Sequence, residues 1–453
     1  MGSYVPASPL EQQAMLAAIG CRSEDDLFAG IPADVRLQGD LAIPEGKSEL
    51  EVRRILESFA AENTVFRTIF RGAGAYRHYI PAAVREITSK ETFVTAYTPY
   101  QAEISQGLLQ SIFEYQTMIA ELTGLDASNA SVYDGATAAA EAVAMCRERK
   151  RNTVYISAAA HPDVVETVKT YCFGSGTPVK LIPSKGGATD SEALKKMIAG
   201  DETAACVLLQ QPNFYGVIED AAAFSGIAHD SSARFIMSCN PVSLAILKAP
   251  AEYGADIAVG EGQPLGLPLG FGGPYLGFMA CKQELLRKLP GRIVGETTDS
   301  ADRRAFVLTL QAREQHIRRE KATSNICSNE ALCALTAAAY LSVMGPQGFS
   351  EVAEQCLSKA HYAAERIFAV PGFNQRFDRP FFHEFVTACP DVTKTLEALR
   401  AKGILGGLPV TVESADHTVT DSLLWCVTEC NTKDEIDMLA GVLEEVSRDA
   451  SDI

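Results

Sequence analysis

The sequence lacks local metal-binding and redox motifs. None of its 12 cysteines forms a C-x-x-C pair, which excludes a zinc ribbon or a thioredoxin motif built on that spacing. Its seven histidines have no metal-ligand spacing, so the sequence predicts no metal site. Most of the cysteines lie inside apolar runs, where a free thiol behaves as a small hydrophobic side chain. This usage is typical of a protein in a reducing compartment.

Long apolar runs and long basic runs are also missing. The longest apolar stretch, 331–344, is shorter than the ~20 residues that cross a bilayer, so no membrane contact is predicted. The 40 basic and 57 acidic residues give a net charge of −17, which argues against nucleic acid as a partner because polyanion binding needs clustered Lys and Arg. The first residues lack the basic and apolar segments of a signal peptide, and we expect a cytoplasmic protein.

The composition is that of a globular protein whose texture changes along the chain. Residues 1–90 contain short helical patterns between Pro and Gly residues, the clearest at 48–62. They predict a helical arm that wraps a larger body or a partner, with a small independent domain as the alternative. We predict a large α/β domain over 91–345 and a small α+β domain over 346–453.

The middle of the chain alternates short apolar runs with helix-length segments. A long amphipathic helix is expected over 103–123, with Gly124 as its stop. The alternation that follows predicts a mostly parallel sheet covered by helices on both faces. The predicted strands lie at 153–157, 179–183, 205–209, 234–238 and 256–260.

Three segments near this predicted sheet allow both a ligand role and an ordinary structural one. Small residues at 134–138 open a helix whose N-terminus would suit an anion, although Asp134 as a helix cap explains them equally well. His161 follows a strand at the edge where doubly wound sheets bind ligands, yet a single histidine is more often structural. The glycine-rich run 270–274 suits a closely approached loop or a plain turn.

Longer motifs resemble a known family. The segment 97–107 (YTPYQAEISQG) is similar to the Y-T-P-Y-Q-x-E-I-S-Q-G motif of glycine decarboxylase, the P-protein family of the glycine cleavage system. Further blocks agree in the same order, from about residue 72 to the C-terminus. They are 115–124, 129–142, 272–274, 290–292, 313–325 (REQHIRREKATSN) and 425–429 (WCVTE).

The resemblance implies a fold and an activity. The family has the α/β fold type I architecture of pyridoxal-phosphate-dependent transferases, similar to aspartate aminotransferase, with a small C-terminal α+β domain. At 453 residues the chain resembles the N-terminal half of the single-chain form, which is the α subunit of the two-subunit bacterial form. The resemblance implies that the whole enzyme, glycine dehydrogenase (decarboxylating), decarboxylates glycine with pyridoxal phosphate and passes the aminomethyl group to the lipoyl arm of H-protein.

Two groups that this chemistry needs are missing at the positions that the resemblance assigns to them. The cofactor lysine aligns with Gln263, and an amide cannot form a Schiff base. The acid that would keep the pyridine nitrogen protonated aligns with Ser238 or Cys239. We therefore expect no covalently bound cofactor here and no activity of the chain alone. The resemblance leaves a vestigial cofactor pocket formed by Gly135, Ala136, Thr137, His161, Cys239 and Gln263.

The same resemblance implies a partner that carries the cofactor. We expect pyridoxal phosphate on a β subunit (subunit 2) in an α2β2 assembly, with glycine and lipoylated H-protein as further ligands. A homodimer is the alternative state of the isolated chain. Residues of this chain would complete the partner's site in trans. The candidates are Tyr97, Thr98, Tyr100 and Gln101, with Arg77 and His78.

Two other functions stay open at this stage. The chain could be a non-catalytic scaffold or regulator that binds H-protein or a metabolite in the vestigial pocket. Activity on mixing with the β subunit would separate this hypothesis from the enzyme-subunit hypothesis. The chain could also be a complete homodimeric enzyme, which the missing lysine at position 263 argues against. The mixed-charge run 313–321 allows both a solvated surface and a role in assembly.

Overall fold

The computed structural model describes residues 7–37, 39, 41–96, 99–322, 326, 330–413 and 419–451. The chain divides into two compact units, Met1–Val65 and Phe66–Ile453. The expected domain boundaries near residues 90 and 345 stay predictions. Within the described part of the chain, every helix is too short or too polar to cross a bilayer.

The first unit contains two α-helices with exposed apolar side chains. Helix α1 spans Pro9–Ala18, α2 spans Glu49–Ala61, and a 3-10 helix lies between them at Glu24–Phe28. Ser48 begins α2 with a capping box, because its hydroxyl accepts from the Glu51 N–H and the Glu51 carboxylate accepts from the Ser48 N–H. The predicted helix at 48–62 is thereby confirmed. Its apolar residues are 37–60% exposed, namely Leu50, Val52, Ile55, Leu56 and Phe59.

The described strands of the second unit form five sheets. One has seven strands, one has three, and three have two strands each. In chain order the strands are β1 (Thr68–Ile69), β2 (Ala127–Ser128), β3 (Thr153–Ser157), β4 (Val179–Ile182), β5 (Ser184–Lys185), β6 (Ala188–Thr189), β7 (Ala204–Gln211), β8 (Arg234–Cys239), β9 (Ile257–Glu261), β10 (Gly277–Cys281), β11 (Ile293–Thr298), β12 (Arg304–Thr309), β13 (Glu384–Ala388), β14 (Ile404–Leu405), β15 (Leu408–Glu413) and β16 (Val419–Cys426).

Eleven α-helices are described in the second unit, together with short 3-10 helices. The α-helices are α3 (Ala82–Thr88), α4 (Glu91–Val94), α5 (Gln106–Thr123), α6 (Gly135–Cys146), α7 (Pro162–Gly174), α8 (Ser191–Ile198), α9 (Ala221–Asp230), α10 (Gln315–Arg318), α11 (Ala331–Phe368), α12 (Val392–Ala401) and α13 (Lys433–Ser451). The 3-10 helices lie at Val242–Ala245, Pro250–Tyr253, Gln283–Lys288, Gln311–Arg313 and Arg319–Lys321.

The seven-stranded sheet is the centre of the second unit, in the order β2-β10-β9-β8-β7-β3-β4. Five strands are parallel, and β10 runs antiparallel to both neighbours. Side chains alternate between the two faces of a strand, and β7 shows the consequence. Val207 and Leu209 join an apolar cluster with α5, α9 and α11, whereas Cys206 and Leu208 join one with α6 and α7. The predicted parallel sheet with helices on both faces is confirmed.

The C-terminal part has its own sheet and core. Strands β13, β16 and β15 pair antiparallel in that order. The single tryptophan, Trp425, lies on β16 and is fully buried. Its indole N–H donates to Oγ1 of Thr387 (2.9 Å). The long α11 is interrupted at Gly345 (φ 63°, ψ 174°), and Pro346 begins its second helical segment. Strand β15 and the β11–β12 hairpin were not predicted from the sequence.

A tight turn at Gly216, after the carboxyl end of β7, packs against the C-terminal part. Gly216 has φ +82°, and an added Cβ would overlap the carbonyl oxygen of Glu384. We expect Gly216→Ala to lower the free energy of unfolding by about 2 to 4 kcal/mol, because the positive φ and the overlap both oppose a side chain.

Gly226→Ala is the matched control for this prediction. Gly226 lies on the exposed side of α9 with no neighbour within 4 Å of an added Cβ. We expect this change to stabilise the chain by about 0.5 to 1 kcal/mol through helix propensity. Urea unfolding of both variants measures the difference, and equal effects of the two substitutions would contradict the assignment.

Candidate functional site

The N-terminus of α6 is occupied by a carboxylate of the same chain. The Gly135 N–H donates to Oε2 of Glu261 (3.0 Å), at the end of β9. Oε1 of Glu261 accepts from the N–H groups of Gln263 (2.9 Å) and Leu276 (3.1 Å). Burial raises the pKa of Glu261, an effect that these three N–H donors oppose. A helix N-terminus attracts an anion, and here Glu261 supplies it.

The rest of this helix start follows the ordinary capping pattern. Oδ1 of Asp134 accepts from the Thr137 N–H (2.7 Å), and the Thr137 hydroxyl accepts from the Asp134 N–H (3.1 Å). Ala136, between them, is half-buried against the apolar cluster of α6 and α7. Of the two roles that the sequence left open for 134–138, the structure shows the helix cap.

Gln263 holds another segment of the chain by its backbone. Its side chain is buried, with 1% of the residue exposed, and Oε1 accepts from the Tyr76 N–H (3.0 Å). Nε2 donates to the carbonyl oxygens of Tyr76 (3.0 Å) and Leu267 (2.8 Å). An amide offers both a donor and an acceptor, so it satisfies both backbone groups of one residue, which an ammonium group cannot do.

The segment next to Tyr76 lies against His161. The Nε2–H of His161 donates to the carbonyl oxygen of Ala73 (2.9 Å), while Nδ1 accepts from the Asp163 N–H at the start of α7 (3.1 Å). These partners define the imidazole tautomer. Gly74 has φ +98°, and an added Cβ would lie 2.7 Å from Nε2 of His161. Only glycine allows this approach of the backbone to the ring.

Glu384 anchors the same segment from the C-terminal part. Its buried carboxylate accepts from the Ala73 N–H at Oε1 (2.6 Å) and from the Tyr76 hydroxyl at Oε2 (2.8 Å). Burial raises the pKa of Glu384 to about 7, although both hydrogen bonds act in the opposite direction. The ring of His383 lies 4.6 Å from the ring of Tyr76, centroid to centroid.

Cys239 ends β8 and, with Ser238, is one of the two positions that the family resemblance allows for an acid. Its Sγ is buried and lies 3.6 Å from the carbonyl oxygen of Val259. Burial raises the pKa of the Cys239 thiol to about 12, so the group is neutral. It therefore provides no negative charge at this edge of the sheet.

The predicted pocket residues are linked through groups that sequence reasoning missed. Gly135 and Gln263 both contact Glu261, while Gln263 and His161 both contact residues 73–76. A signal for Glu261 was present, because it ends a strand at the carboxyl edge of a parallel sheet, where ligands bind. The role of residues 73–76 had no local signal.

The residues predicted to face a partner lie in different surroundings. Tyr97 and Thr98 lie outside the described residues. Tyr100 is half-buried with the guanidinium of Arg292 4.3 Å from its ring centroid, and Gln101 is exposed. Arg292 also donates to the Ile326 carbonyl oxygen (3.4 Å). Two sequence blocks that resemble the P-protein family, around residues 100 and 292, thus meet at one place with Ile326, which follows a third block.

Arg77 and His78 complete the predicted set. Arg77 is exposed and donates to the carbonyl oxygen of Arg67 (2.9 Å). His78 is buried, with Nδ1 2.8 Å from Oε2 of Glu429. Burial opposes the charged form of Glu429, but hydrogen bonds from His78, Tyr79 and Cys356 and the charge of His78 lower its pKa to about 2. A role of either residue toward a partner stays a prediction.

Comparisons with known proteins identify the family. Residues 2–443 match the sequence profile described as glycine cleavage system P-protein. The chain belongs to this P-protein family. A probable glycine dehydrogenase (decarboxylating) subunit 1 from Moorella thermoacetica is 50% identical over 446 residues, which cover 98% of this chain and 99% of that P-protein relative. The counterpart from Desulfitobacterium hafniense is 49% identical over 449 residues, 98% and 100% of the two chains.

Solved structures agree with the P-protein assignment. The crystal structure of glycine decarboxylase (P-protein) of the glycine cleavage system, in inhibitor-bound form, has a TM-score of 0.89 and 42% identity, and covers 98% of this chain and 100% of that one. Mouse CSAD has a TM-score of 0.66 at 15% identity, over 94% and 93% of the two chains, which shows the fold alone. The predicted class, pyridoxal-phosphate-dependent fold type I, is confirmed.

The raised pKa of Glu384 has a consequence for stability. A carboxyl group with a raised pKa keeps its proton in the folded chain at a pH where the unfolded chain has released it. Its contribution to stability therefore falls as the pH rises from 4.5, its ordinary pKa, to about 7. We expect Glu384→Gln, which imitates the neutral form, to stabilise the chain relative to wild type by up to about 3 kcal/mol at pH 8 and by little at pH 5.

Thermal unfolding of wild type and variant at both pH values measures this difference. The exposed Glu444→Gln is the control, with an expected effect that is small and independent of pH. A stability difference for Glu384→Gln that does not change between pH 5 and pH 8 would contradict the proposed burial of a neutral carboxyl group.

Proposed function

We propose that this chain is subunit 1, the α subunit, of a glycine dehydrogenase (decarboxylating) of the glycine cleavage system. Full-length similarity to relatives named as that subunit supports the proposal. The observation that carries it is the hydrogen bonding of the predicted cofactor positions. Gly135, Gln263 and His161 are hydrogen-bonded to other residues of this chain. Such a chain needs a second, lysine-bearing subunit for the decarboxylation of glycine.

The pocket residues do not fit pyridoxal phosphate. The cofactor needs an amine at position 263, and the amide there is fully engaged by backbone groups. A phosphate at the start of α6 would compete with the carboxylate of Glu261 for the Gly135 N–H. The Nε2 edge of the His161 ring contacts Ala73 and Gly74. We therefore assign pyridoxal phosphate, which supplies the electron sink for decarboxylation, to the partner β subunit.

Exposed apolar groups support an assembly with that partner. Phe271 stands in the glycine-rich run 270–274 and is 98% exposed. The apolar side of α2 in the first unit is exposed as well, and an isolated helix of 13 residues is marginal in water. Contiguous exposed apolar surface is typical of protein interfaces. We propose that both surfaces contact subunit 2 in an α2β2 assembly.

The loop at 97–101 is our candidate for the contribution of this chain to the partner's active site. Pro99 and the Tyr100–Arg292 contact hold the described end of the loop in place. Tyrosine and threonine side chains on such a loop would orient glycine and exclude water around the reacting carbon. Lipoylated H-protein would then receive the aminomethyl group on the assembled enzyme.

Mixing the purified chain with subunit 2 tests the proposal. We expect neither chain alone to release CO2 from glycine in the presence of H-protein, and the mixture to do so. Tyr97→Ala and Tyr100→Ala should each lower kcat/KM of the mixture by about 100-fold, as expected for lost positioning, without preventing co-elution of the two chains. Tyr171→Ala, at an exposed helix residue remote in sequence from the loop, is the control and should keep full activity.

Activity of this chain alone would contradict the proposal that it is subunit 1. Full activity of both Tyr variants would contradict the proposed role of residues 97–101 in the partner's active site. An inactive mixture in which the chain still binds H-protein would support the scaffold hypothesis instead.

A lysine restored at position 263 provides a separate test of the pocket. We expect Gln263→Lys to form no borohydride-reducible adduct with pyridoxal phosphate at that position, because Glu261 still occupies the start of α6 and residues 73–76 still fill the space beside His161. Peptide mapping by mass spectrometry after reduction measures the labelling, with subunit 2 as the positive control. Stoichiometric labelling at position 263 would show that the pocket is open to the cofactor.

A further inference from the structure

A second group of reactive side chains lies outside this pocket. His78, Cys356 and Glu429 each offer one metal-binding atom, and these three atoms all lie within 4.8 Å of one another. Nδ1 of His78 is 2.8 Å and Sγ of Cys356 is 3.3 Å from Oε2 of Glu429. Cys356 is completely buried and His78 nearly so. The three residues come from distant parts of the sequence, and only the fold brings them together.

The donor set is the one that zinc prefers. Zinc binds imidazole nitrogen, thiolate sulfur and carboxylate oxygen with bonds of about 2.0 to 2.3 Å, so tetrahedral ligand atoms stand about 3.3 to 3.8 Å apart. The observed separations of 2.8 and 3.3 Å from Oε2 of Glu429 need to widen by less than about 1 Å to admit the ion. The Tyr79 N–H donates to the other carboxylate oxygen (2.6 Å), the kind of support that orients a metal ligand.

Further candidate ligands surround this cluster. Sγ of Cys430 lies 3.7 Å from Oε1 of Glu429. His383 is buried, and neither of its ring nitrogens has a hydrogen-bond partner among the described residues; Nε2 of His78 and the Tyr340 hydroxyl are in the same condition. Buried polar atoms without partners are rare, and several in one region indicate a missing ligand, ion or water. A hydrogen-bonded His–Glu pair by itself leaves the ring nitrogens of His383 unexplained, and one of these is a candidate further ligand. Nε2 of His78 is not explained by an ion at Nδ1, because the two ring nitrogens face different directions.

The charges at the cluster are compatible with a divalent cation. Glu429 supplies one negative charge, and metal binding makes Cys356 a second as its thiol proton is released to solvent. Nδ1 of His78, which donates to Glu429 in the structure, also gives up its proton when it binds the ion. Lys359 and Arg77 are nearby cations. The Lys359 ammonium group donates to the main-chain carbonyl oxygen of Glu429 (2.6 Å) rather than to the carboxylate, and Arg77 lies near the Cys430 thiol. The carboxylate therefore stays available to the ion.

We propose that His78, Cys356 and Glu429 bind a structural zinc ion, with Cys430, His383 or a water molecule as the fourth ligand. The ion joins His78, which follows the segment 73–76 by two residues, to helix α11 and to the turn after β16. Its role is to hold that segment in place. The proposal is independent of the proposed enzymatic function, because it concerns only residues within this chain.

Zinc content of the full-length chain is the first test. The chain is purified without a metal-affinity column or chelator, and metals are measured by inductively coupled plasma mass spectrometry. We expect about one zinc per chain. Removal with a chelator should lower the melting temperature, and zinc but not magnesium should restore it, because only the folded chain presents the three ligands.

Cobalt substitution then tests the ligands. The cobalt-loaded chain should show a thiolate-to-cobalt charge-transfer band, which Cys356→Ser should abolish and Glu429→Gln should weaken. Cys389→Ser is the control, because Cys389 is also buried but contacts Thr395 elsewhere (3.4 Å), and it should keep the band.

The proposal is overturned if the purified wild-type protein holds less than about 0.1 zinc ion per chain and does not compete with a chromophoric chelator for added zinc. Zinc retained at full stoichiometry in Cys356→Ser would overturn the assigned ligands. The wild-type titration decides the matter even if a variant fails to fold.

Discussion

The side-chain amide of Gln263 needs both a donor and an acceptor inside the protein, and the backbone of Tyr76 provides both. This pairing holds the segment before Tyr76 across the edge of the main sheet. The segment then places Ala73 between His161 at the start of α7 and Glu384 of the C-terminal sheet. The contacts among the predicted pocket residues depend on this arrangement.

Three carboxylates bind the predicted pocket residues and the chain around residues 73–79. Each accepts hydrogen bonds from backbone N–H groups. Glu261 receives three such donors at the start of α6, Glu384 receives the Ala73 N–H, and Glu429 receives the Tyr79 N–H. Backbone donors have fixed positions, and among the described residues the oxygens of these carboxylates form no ion pair with arginine or lysine. Such contacts suit the proposed role of this chain, which is to support the active site of another subunit.

Several residues of the family motifs lie in loops of the second unit. Tyr100, Arg292 and the chain near Ile326 meet at one place, although they are far apart in sequence. Phe271 is exposed on a separate loop, next to glycines with positive φ. Loops carried by a rigid sheet are the usual location of binding residues. The proposed division of labour follows, in which this subunit contributes loops and subunit 2 contributes the cofactor.

The sequence by itself determined the parallel sheet with its helices and the amide at position 263, because hydrophobic periodicity and residue identity are local properties. It did not predict the contacts of Glu261 with Gly135, of Gln263 with Tyr76 or of His78 with Glu429, which join residues 126, 187 and 351 positions apart. Hydrogen bonds between residues so far apart in sequence form only after the sheet and the C-terminal part have packed. No local sequence pattern predicts them. The tertiary structure alone therefore decided that Glu261 accepts from the start of α6 and that Gln263 and His161 bind the segment 73–76.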